Sequence, residues 1–339
     1  MAQVGAFNQR ASTKPAAAVL EPLLPPLIGG ILILVALIGL IGTAIKNPQP
    51  HDIPVGLVGP PQALQQISSS FATAAPGAFQ FTTYTSEQEG RAALDSRTVD
   101  GILVLGAASP RLIVAGAAGD APVGVMTAAF TNVFKAQGAA LLVETVHPFA
   151  GGDAHGLVLF FVVVAALIAT LVAQVLIFVR GKDAALGLQL GFLVVFGVLA
   201  GLAGLGTAAW IVGGYGDGFW AAAGLVALGS AAVGAVIAGF ARLLGPAGIG
   251  LGALVVVLLD LVSSGGPVGS QLLPDFYRWL APWMAAGQLY DAMRGALFFD
   301  GVALATPMAV LAGWLVAGLI LMGLGELSVA RTRKAVATT

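Results

Sequence analysis

Residues 27–45 read LIGGILILVALIGLIGTAI, an apolar run without one charged side chain. A helix of roughly 20 such residues matches a hydrocarbon core of about 30 Å, so this run is predicted to cross a bilayer. A long polar segment, 46–156, follows the run, and further apolar stretches come in close succession after it. This arrangement predicts a polytopic α-helical membrane protein.

The composition supports the same class of protein. Hydrophobic residues make up 58% of the chain and charged residues 9%, whereas soluble domains carry roughly 25% charged residues. Basic residues lie beside the apolar stretches and form no extended patch, so no nucleic-acid partner is expected. The chain has no cysteine, which excludes disulfides, cysteine-ligated zinc and iron–sulfur clusters.

Six stretches are long and apolar enough to be predicted as transmembrane helices. They cover residues 27–45, 157–179, 187–213, 219–241, 247–264 and 302–325. Under strict alternation the positive charges of the short flanking segments all fall on one side, which the positive-inside rule assigns to the cytoplasm. These charges are Arg10, Lys14, Arg180, Lys182, Arg242, Arg331, Arg333 and Lys334.

The alternation predicts that both termini are cytoplasmic and that two long segments lie outside. A cleaved signal peptide is the alternative for the first span, but its run is long for such a peptide and Lys46-Asn47-Pro48 follows it. A retained signal anchor is therefore predicted.

The predicted parts are a cytoplasmic segment 1–26, a first span 27–45, an extracytoplasmic domain 46–156, a five-helix membrane domain 157–325 that includes an outer segment 265–301, and a cytoplasmic tail 326–339.

The outer segment 46–156 is predicted to fold as a small α/β domain, because short β-rich runs alternate with amphipathic helical patterns. Ser86 is the expected N-cap of one helix, with Glu89 three residues on as its capping-box partner. The predicted strands are 53–58, 79–84, 99–105 and 112–115, and the predicted helices are 62–73, 86–94 and 122–146. The last helix is expected to lead into the second span.

The second outer segment, 265–301, is too aromatic for a solvated loop and too polar and proline-broken for a span. Aromatic side chains with a few charges favour the headgroup region of a bilayer. We predict two short helices that are re-entrant or lie on the outer leaflet. There, neighbouring protein must supply hydrogen-bond partners for the backbone N–H and C=O groups. The residues expected at the interface are Pro274, Tyr277, Trp279, Pro282 and Trp283, and a direct lipid-headgroup contact is the sharper alternative for the aromatic ones.

Short motifs in this segment resemble a known group of membrane proteins. They are similar to the C-terminal region of YhgE/Pip (phage infection protein) members of the type-2 ABC exporter superfamily. The motifs are Ser264-Gly265-Gly266-Pro267, Leu273-Pro274-Asp275-Phe276, Leu280-Ala281-Pro282-Trp283 and Ala292-Met293-Arg294. Residues 46–58 resemble the segment by which such proteins leave their first span. The resemblance implies a six-span exporter domain that works as a homodimer with a separate cytoplasmic ATPase, with re-entrant helices before the last span. The outer domain is compact here, whereas some members carry a very long one.

No catalytic or nucleotide-binding motif is visible in the sequence. The chain lacks G-x-x-x-x-G-K-[ST], and its Gly181-Lys182 pair is followed by Asp183. Metalloprotease, serine-hydrolase and dinucleotide fingerprints are also missing, so neither an enzyme nor a cofactor is expected. Energy must come from a separate ATPase or from none. Arg180 and Lys182 are the candidate docking residues for that ATPase, and the alternative is that both are ordinary positive-inside anchors.

Asp260 lies inside the fifth predicted span, where a bare carboxylate costs several kcal/mol unless it faces protein or water. It is a candidate lining residue of a polar substrate path or a partner for Arg294. The alternative is that the helix ends early and Asp260 sits at its rim. Asp291 and Arg294 are spaced to pair locally on a helix, and with Asp260 they make up the candidate substrate path.

The remaining polar and glycine patterns are weaker. The histidines fall at the edges of the outer domain, where a metal site between its two stems is one interpretation. No ligand spacing supports a metal, so ordinary interfacial side chains are favoured and no metal is predicted. Two glycine pairs have the small-xxx-small spacing that lets helices approach closely. The residues concerned are His51, His147 and His155, and Gly197 with Gly201 and Gly248 with Gly252.

Together these features predict the permease subunit of a type-2 ABC-like exporter in the cytoplasmic membrane of a bacterium. Its substrate would be amphipathic, lipid-linked or hydrophobic. Its partners would be membrane lipid, a second copy of the chain and a separate ATP-binding subunit. The alternative is a non-transporting envelope scaffold or receptor whose outer domain binds cell-wall material, a secretion partner or a phage.

Overall fold

The computed structural model describes residues 24–106, 109–181 and 184–337. The chain divides into two compact units, Met1–Thr43 and Ala44–Thr339. Helix α1 (Leu24–Ile45) contains the described part of the first unit and exposes an almost entirely apolar surface. The second unit holds an α/β domain and a bundle of long helices.

The α/β domain is built on a five-stranded sheet. Its elements are β1 (Ile53–Val58), α2 (Pro61–Ala74), β2 (Phe79–Tyr84), α3 (Glu87–Asp95), β3 (Gly101–Val104), β4 (Arg111–Ala115), α4 (Asp120–Ala136) and β5 (Leu142–Val146). The strand order is β2-β1-β3-β4-β5, and β3 and β4 form the antiparallel pair in an otherwise parallel sheet. The N-cap prediction is confirmed, because Ser86 Oγ accepts a hydrogen bond from the Glu89 N–H at 3.2 Å.

The end of this domain differs from the prediction of one long helix over 122–146. Helix α4 ends at Ala136, Gly138 follows with a φ of +73°, and β5 then pairs with β4 at the sheet edge. A left-handed φ stops a helix, and the β-branched side chains at Val143, Thr145 and Val146 favour extended backbone. The predicted helical lead into the second span is therefore wrong.

Other elements pack on both faces of the sheet, and on one face part of the packing comes from a segment outside the domain. On the first face, α2 and α4 bury Phe71 and Phe130 against the strands. On the second face, α3 packs with Ile102 and Ile113 of the sheet and with Phe299, which is 2% exposed. Since Phe299 belongs to the segment before the last long helix, that segment completes the core of the α/β domain.

Six described helices are long and apolar enough to cross a membrane, as predicted. After α1 they are α5 (Leu157–Gly181), α6 (Leu186–Val212), α7 (Phe219–Leu244), a composite helix and α12 (Ala305–Ala337). The composite helix consists of α8 (Pro246–Gly252), a π-helix (Ala253–Asp260) and the single turn α9 (Leu261–Ser263). Between it and α12 lie two shorter helices, α10 (Asp275–Leu280) and α11 (Ala285–Phe298).

Helix α7 is the most buried of the long helices, and glycines let its neighbours approach it closely. A Cβ atom added at Gly201 of α6 would lie 2.2 Å from the carbonyl oxygen of Ala223. Cβ atoms at Gly197, Gly248 and Gly252 would lie 2.7, 1.9 and 3.2 Å from the nearest atom of α7. The close packing predicted from the small-xxx-small spacing is confirmed at both pairs.

The segments predicted to lie outside meet at one end of the bundle. A Cβ atom at Gly218, in the short loop before α7, would lie 2.3 Å from the carbonyl oxygen of Ala296 in α11. At the opposite end of α7, Arg242 forms an ion pair with Glu326 and donates to Gln189 Oε1 at 2.9 Å. Within the second unit, this grouping agrees with long helices that alternate in direction.

Candidate functional site

The α/β domain is fastened to helix α11 by a cluster of charges. Asp291 accepts hydrogen bonds from Arg97 of the domain at 2.5 Å and from Arg294, one helical turn along α11, at 2.7 Å. The Arg97 and Arg294 side chains are only 11% and 15% exposed. Burial raises the pKa of Asp291, but Arg294 and Arg97 outweigh it and hold that pKa below its usual value. The predicted Asp291–Arg294 pair is confirmed, and Arg97 is an addition that sequence reasoning missed.

Aromatic rings hold the same two arginines in place. The Arg97 guanidinium carbon lies 5.0 Å from the centroid of the Phe299 ring, and that of Arg294 lies 4.9 Å from the Tyr290 ring. His147 also stacks on Phe299, with ring centroids 4.7 Å apart. Cation–π contacts of this kind stabilise a desolvated guanidinium group. The junction is therefore a packed interface as well as an electrostatic one.

Two of the three histidines belong to this junction. His147 Nδ1 lies 2.9 Å from the carbonyl oxygen of Phe298, and the His51 N–H donates to the carbonyl oxygen of Gln271 at 2.9 Å. His155 lies near the start of α5 and pairs with a carboxylate of α4. Among the described residues, no three His, Cys, Asp or Glu side chains are grouped closely enough to hold a metal ion.

A partly open cavity of about 470 Å³ lies beside the charge cluster. Its wall is formed on one side by the α/β domain and on the other by the segment between α9 and the middle of α11. Its charged lining residues are Asp52, Arg278, Asp291 and Arg294, and its polar lining includes His51, Ser264, Ser270, Gln271, Gln288 and Tyr290. This volume lies in the range of small-molecule sites, and the lining suits a charged or strongly polar group.

A second, smaller cavity of about 230 Å³ also borders the arginine cluster. It shares Asp291 and Arg294 with the first cavity and contains Asp100 of the α/β domain. The Oδ2 atom of Asp100 is buried and has no hydrogen-bond partner among the described residues. Burial raises the pKa of Asp100 to about 6, although Arg294 and Arg97 oppose the shift.

Asp100 is expected to make stability depend on pH. Its pKa rises from 3.8 in the unfolded chain to about 6 in the folded protein, so stability falls as pH rises through this window, by about 2–3 kcal/mol at most. Asp100→Asn should therefore raise the melting temperature by several degrees at pH 8 and leave it unchanged near pH 4. Thermal unfolding in detergent at both pH values measures this, with Asp217→Asn on an exposed loop as the control. An equal shift at both pH values would contradict it.

Asp260 lies one helical turn from the cavity. Its backbone carbonyl accepts a hydrogen bond from the N–H of Ser264, which lines the cavity. Its Oδ1 accepts a hydrogen bond of 2.8 Å from the N–H of Ala286 at the start of α11. The side chain is 0% exposed, and Oδ2 has no partner among the described residues. The helix continues for only one turn beyond Asp260 and ends at Ser263, so the alternative of a residue near the helix rim stays a prediction. Arg294 is engaged by Asp291, and the considered pair between Asp260 and Arg294 is not formed.

The residues predicted at the membrane interface occupy α10 and the turn after it. Pro274 precedes α10, and Pro282 lies in the 3₁₀ turn Ala281–Trp283. Trp279 and Trp283 are among the most exposed aromatic side chains, at 67% and 63%, whereas Tyr277 is buried. Exposed tryptophans next to a polar cavity fit a headgroup environment. The re-entrant position of this segment stays a prediction.

The predicted docking residues lie at the other end of the bundle. Arg180 is in the last turn of α5, and Lys182 lies outside the described residues. Near Arg180, α5 and α6 line an open apolar groove of about 410 Å³. The network of Arg242 with Glu326 and Gln189 ties α6, α7 and α12 together at this end. Sequence reasoning treated Arg242 as an anchor and missed this network, because its partners lie far along the chain.

Comparison with protein-family models, curated proteins and solved structures finds no match for this chain. The exporter hypothesis therefore rests on the short sequence motifs and on the physical character of the junction. The features of the junction that any functional hypothesis must explain are the polar cavity, the buried charge cluster and the enclosed Asp260 carboxylate.

Proposed function

We propose that this chain is the membrane subunit of a type-2 ABC-like exporter that moves an amphipathic, lipid-linked or hydrophobic substrate outward, powered by a separate ATPase. The observation that carries the proposal is the charged cavity between the helical bundle and the α/β domain. An amphipathic molecule needs a polar site for its head beside an apolar surface for its tail. The cavity offers the first, and the exposed rings of Trp279 and Trp283 offer the second.

The proposal includes a bacterial cytoplasmic membrane with both termini inside and the α/β domain outside. Supporting it, the two long segments predicted outside and the short loop before α7 gather at one end of the bundle, while Arg180 and Arg242 lie at the other. Positive charges at that end are typical of the cytoplasmic face. A homodimer is part of the same proposal, by analogy with exporters of this type.

The contact between Asp260 and Ala286 is the proposed closure beneath the cavity. It joins the end of the fifth long helix to the start of α11, and Ser264 and Gly287 line the cavity next to it. A path from the cavity into the bundle would have to break this hydrogen bond. We therefore assign Asp260 to the substrate path, with Asp291 and Arg294 above it.

The proposal is tested first by its energy source. The chain is purified from a bacterial membrane in a mild detergent, and the proteins that accompany it are identified by mass spectrometry. A stoichiometric ATP-binding subunit is expected, and the reconstituted complex should move a fluorescent phospholipid between leaflets when ATP is added. A homodimer without an ATP-binding partner would contradict the proposal.

Asp260→Leu is expected to loosen the proposed closure beneath the cavity and to raise lipid movement in the absence of ATP about tenfold. The substitution leaves the Ala286 N–H without its acceptor, which costs about 1–3 kcal/mol, and about 1.4 kcal/mol corresponds to a factor of ten in rate. Asp260→Asn keeps an acceptor oxygen and the same shape, so it should stay within about twofold of the wild type and is the matched control. Wild-type movement by the leucine variant would remove Asp260 from the path.

A non-transporting scaffold or receptor is the second candidate, and one observation favours it. The described bundle is closed around α7, and Asp260 is fully enclosed rather than open to a channel. A scaffold requires a firmly held outer domain, which the Arg97–Asp291 contact provides. The scaffold predicts that both Asp260 variants bind their envelope partner like the wild type and that no ATPase accompanies the chain.

A further inference from the structure

We propose that the 470 Å³ junction cavity binds the phosphate group of a phospholipid and that Arg278 is its main ligand. The inference rests on the proposed function and deepens it by naming the polar group that enters the cavity. It follows from the unsatisfied donors of Arg278, from the fixed charges around it and from the aromatic surface outside.

Arg278 lines the cavity and makes only long ion-pair contacts among the described residues. Its Nη2 atom lies 3.7 Å from a carboxylate oxygen of Asp52 and 3.8 Å from one of Asp275. Both distances exceed hydrogen-bond length, and the Arg278 guanidinium has no hydrogen bond to any described residue. The two carboxylates are 68% and 90% exposed, so water screens them strongly. A guanidinium group with open donors facing a cavity is suited to two oxygens of a phosphate.

Arg294 has a different role on the same wall. Its Nη2 is committed to Asp291, and its Nη1 is committed to the carbonyl oxygen of Ala118. Its Nε is buried without a partner among the described residues, and its two Nη groups are used within the protein, whereas its charge adds to the potential inside the cavity. Asp291 does not cancel that potential alone, because Arg97 and Arg294 share it. The lining balances two carboxylates against two guanidinium groups, so the open donors of Arg278, and not a net positive charge, are what would hold an anion.

The surroundings of Arg278 favour a lipid over a soluble phosphate. The neighbouring side chains Phe276, Trp279 and Trp283 are 56%, 67% and 63% exposed. Three large aromatic rings exposed within eight residues are costly in water and favourable in the headgroup region of a bilayer. One short segment thus supplies an anion ligand to the cavity and an apolar surface beside it. A phospholipid has the matching pair of groups.

The test measures lipid retention by the full chain alone, without nucleotide or an ATPase. Delipidated protein in a neutral detergent is mixed with phosphatidylglycerol, and bound lipid is counted by native mass spectrometry. Arg278→Gln should retain about tenfold less lipid, because one charge-assisted hydrogen bond is lost. Lys135→Gln, which removes one positive charge on α4 outside the cavity lining, should retain lipid like the wild type.

Two comparisons on the wild-type protein need no variant and keep the proposal falsifiable if Arg278→Gln fails to fold. Diacylglycerol, which lacks the phosphate, should be retained about tenfold less than phosphatidylglycerol. Glycerol 3-phosphate, which lacks the tails, should not displace the lipid at equal concentration. Equal retention of diacylglycerol would overturn the phosphate site, and displacement by glycerol 3-phosphate would overturn the lipid assignment in favour of a soluble phosphate.

The outcome is separable from that of the proposed function. Lipid retention without an ATP-binding partner would leave the phosphate site standing and would remove the exporter. Nucleotide-driven movement that is unchanged in Arg278→Gln, together with unchanged lipid retention, would leave the exporter standing and would remove this site.

Discussion

Replacing Asp291 with alanine is expected to lower the free energy of unfolding by about 3 kcal/mol and the melting temperature by roughly 5–10 °C. The substitution leaves Arg97 and Arg294 nearly buried without their shared counter-ion. An unpaired buried charge typically costs 3–5 kcal/mol. The Asp291 side chain is 33% exposed, so water offsets part of that cost and the lower end applies.

The measurement is thermal unfolding in mild detergent, followed by far-UV circular dichroism. Asp275→Ala is the matched control, because Asp275 is 90% exposed and its contact with Arg278 is 3.8 Å long. It should change the melting temperature by less than about 2 °C. Since the folded pKa of Asp291 is depressed below 3.8, its stabilising effect should be full above that pH and lost as pH falls through the folded value. A wild-type melting temperature for Asp291→Ala would show that the cluster does not hold the junction.

Replacing Gly201 with alanine is expected to have a comparable effect in the bundle. The new Cβ atom would lie 2.2 Å from the carbonyl oxygen of Ala223, which is backbone and cannot move aside alone. Helices α6 and α7 would have to separate, and overpacking of this kind costs about 1–3 kcal/mol or more. A lower yield of folded protein and a fall in melting temperature of several degrees are expected.

Gly206→Ala on the same helix is the control for this change. No atom lies within 4 Å of a Cβ added at Gly206, and alanine favours a helix over glycine by about 1 kcal/mol. The control should therefore match or slightly exceed the wild type in melting temperature. Equal effects of the two substitutions would mean that helix propensity, rather than close packing at Gly201, determines the result.

Much of the fold was predictable because its signals are local. The apolar length of a span such as 157–179 and the β-rich pattern of 53–58 are properties of consecutive residues. The Ser86 cap is local as well, since it joins residues three apart. Prediction failed at β5, where the β-branched residues favour a strand but the pairing with β4 that completes it is not visible in the sequence. Periodicity cannot report a neighbour that is supplied by the rest of the fold.

The candidate site was predictable only in part for the same reason. Asp291 and Arg294 are three residues apart and pair on one helix face, as expected. Arg97 reaches Asp291 across 194 residues of sequence, and nothing in the spacing indicates that contact. Asp260 was expected to have Arg294 as a partner or to lie at a rim. Its acceptor role toward Ala286 depends on where α11 begins relative to the fifth long helix.

The sequence by itself determined that the chain has six long apolar helices and a small α/β domain between the first two, because run length and residue pattern are sufficient for both. Only the tertiary structure decided that Phe299 completes the core of that domain, that Arg97 meets Asp291, and that a charged cavity lies between domain and bundle. These features arise from elements distant in the chain. Their free energy comes from burial and charge pairing across the junction, which no local pattern encodes.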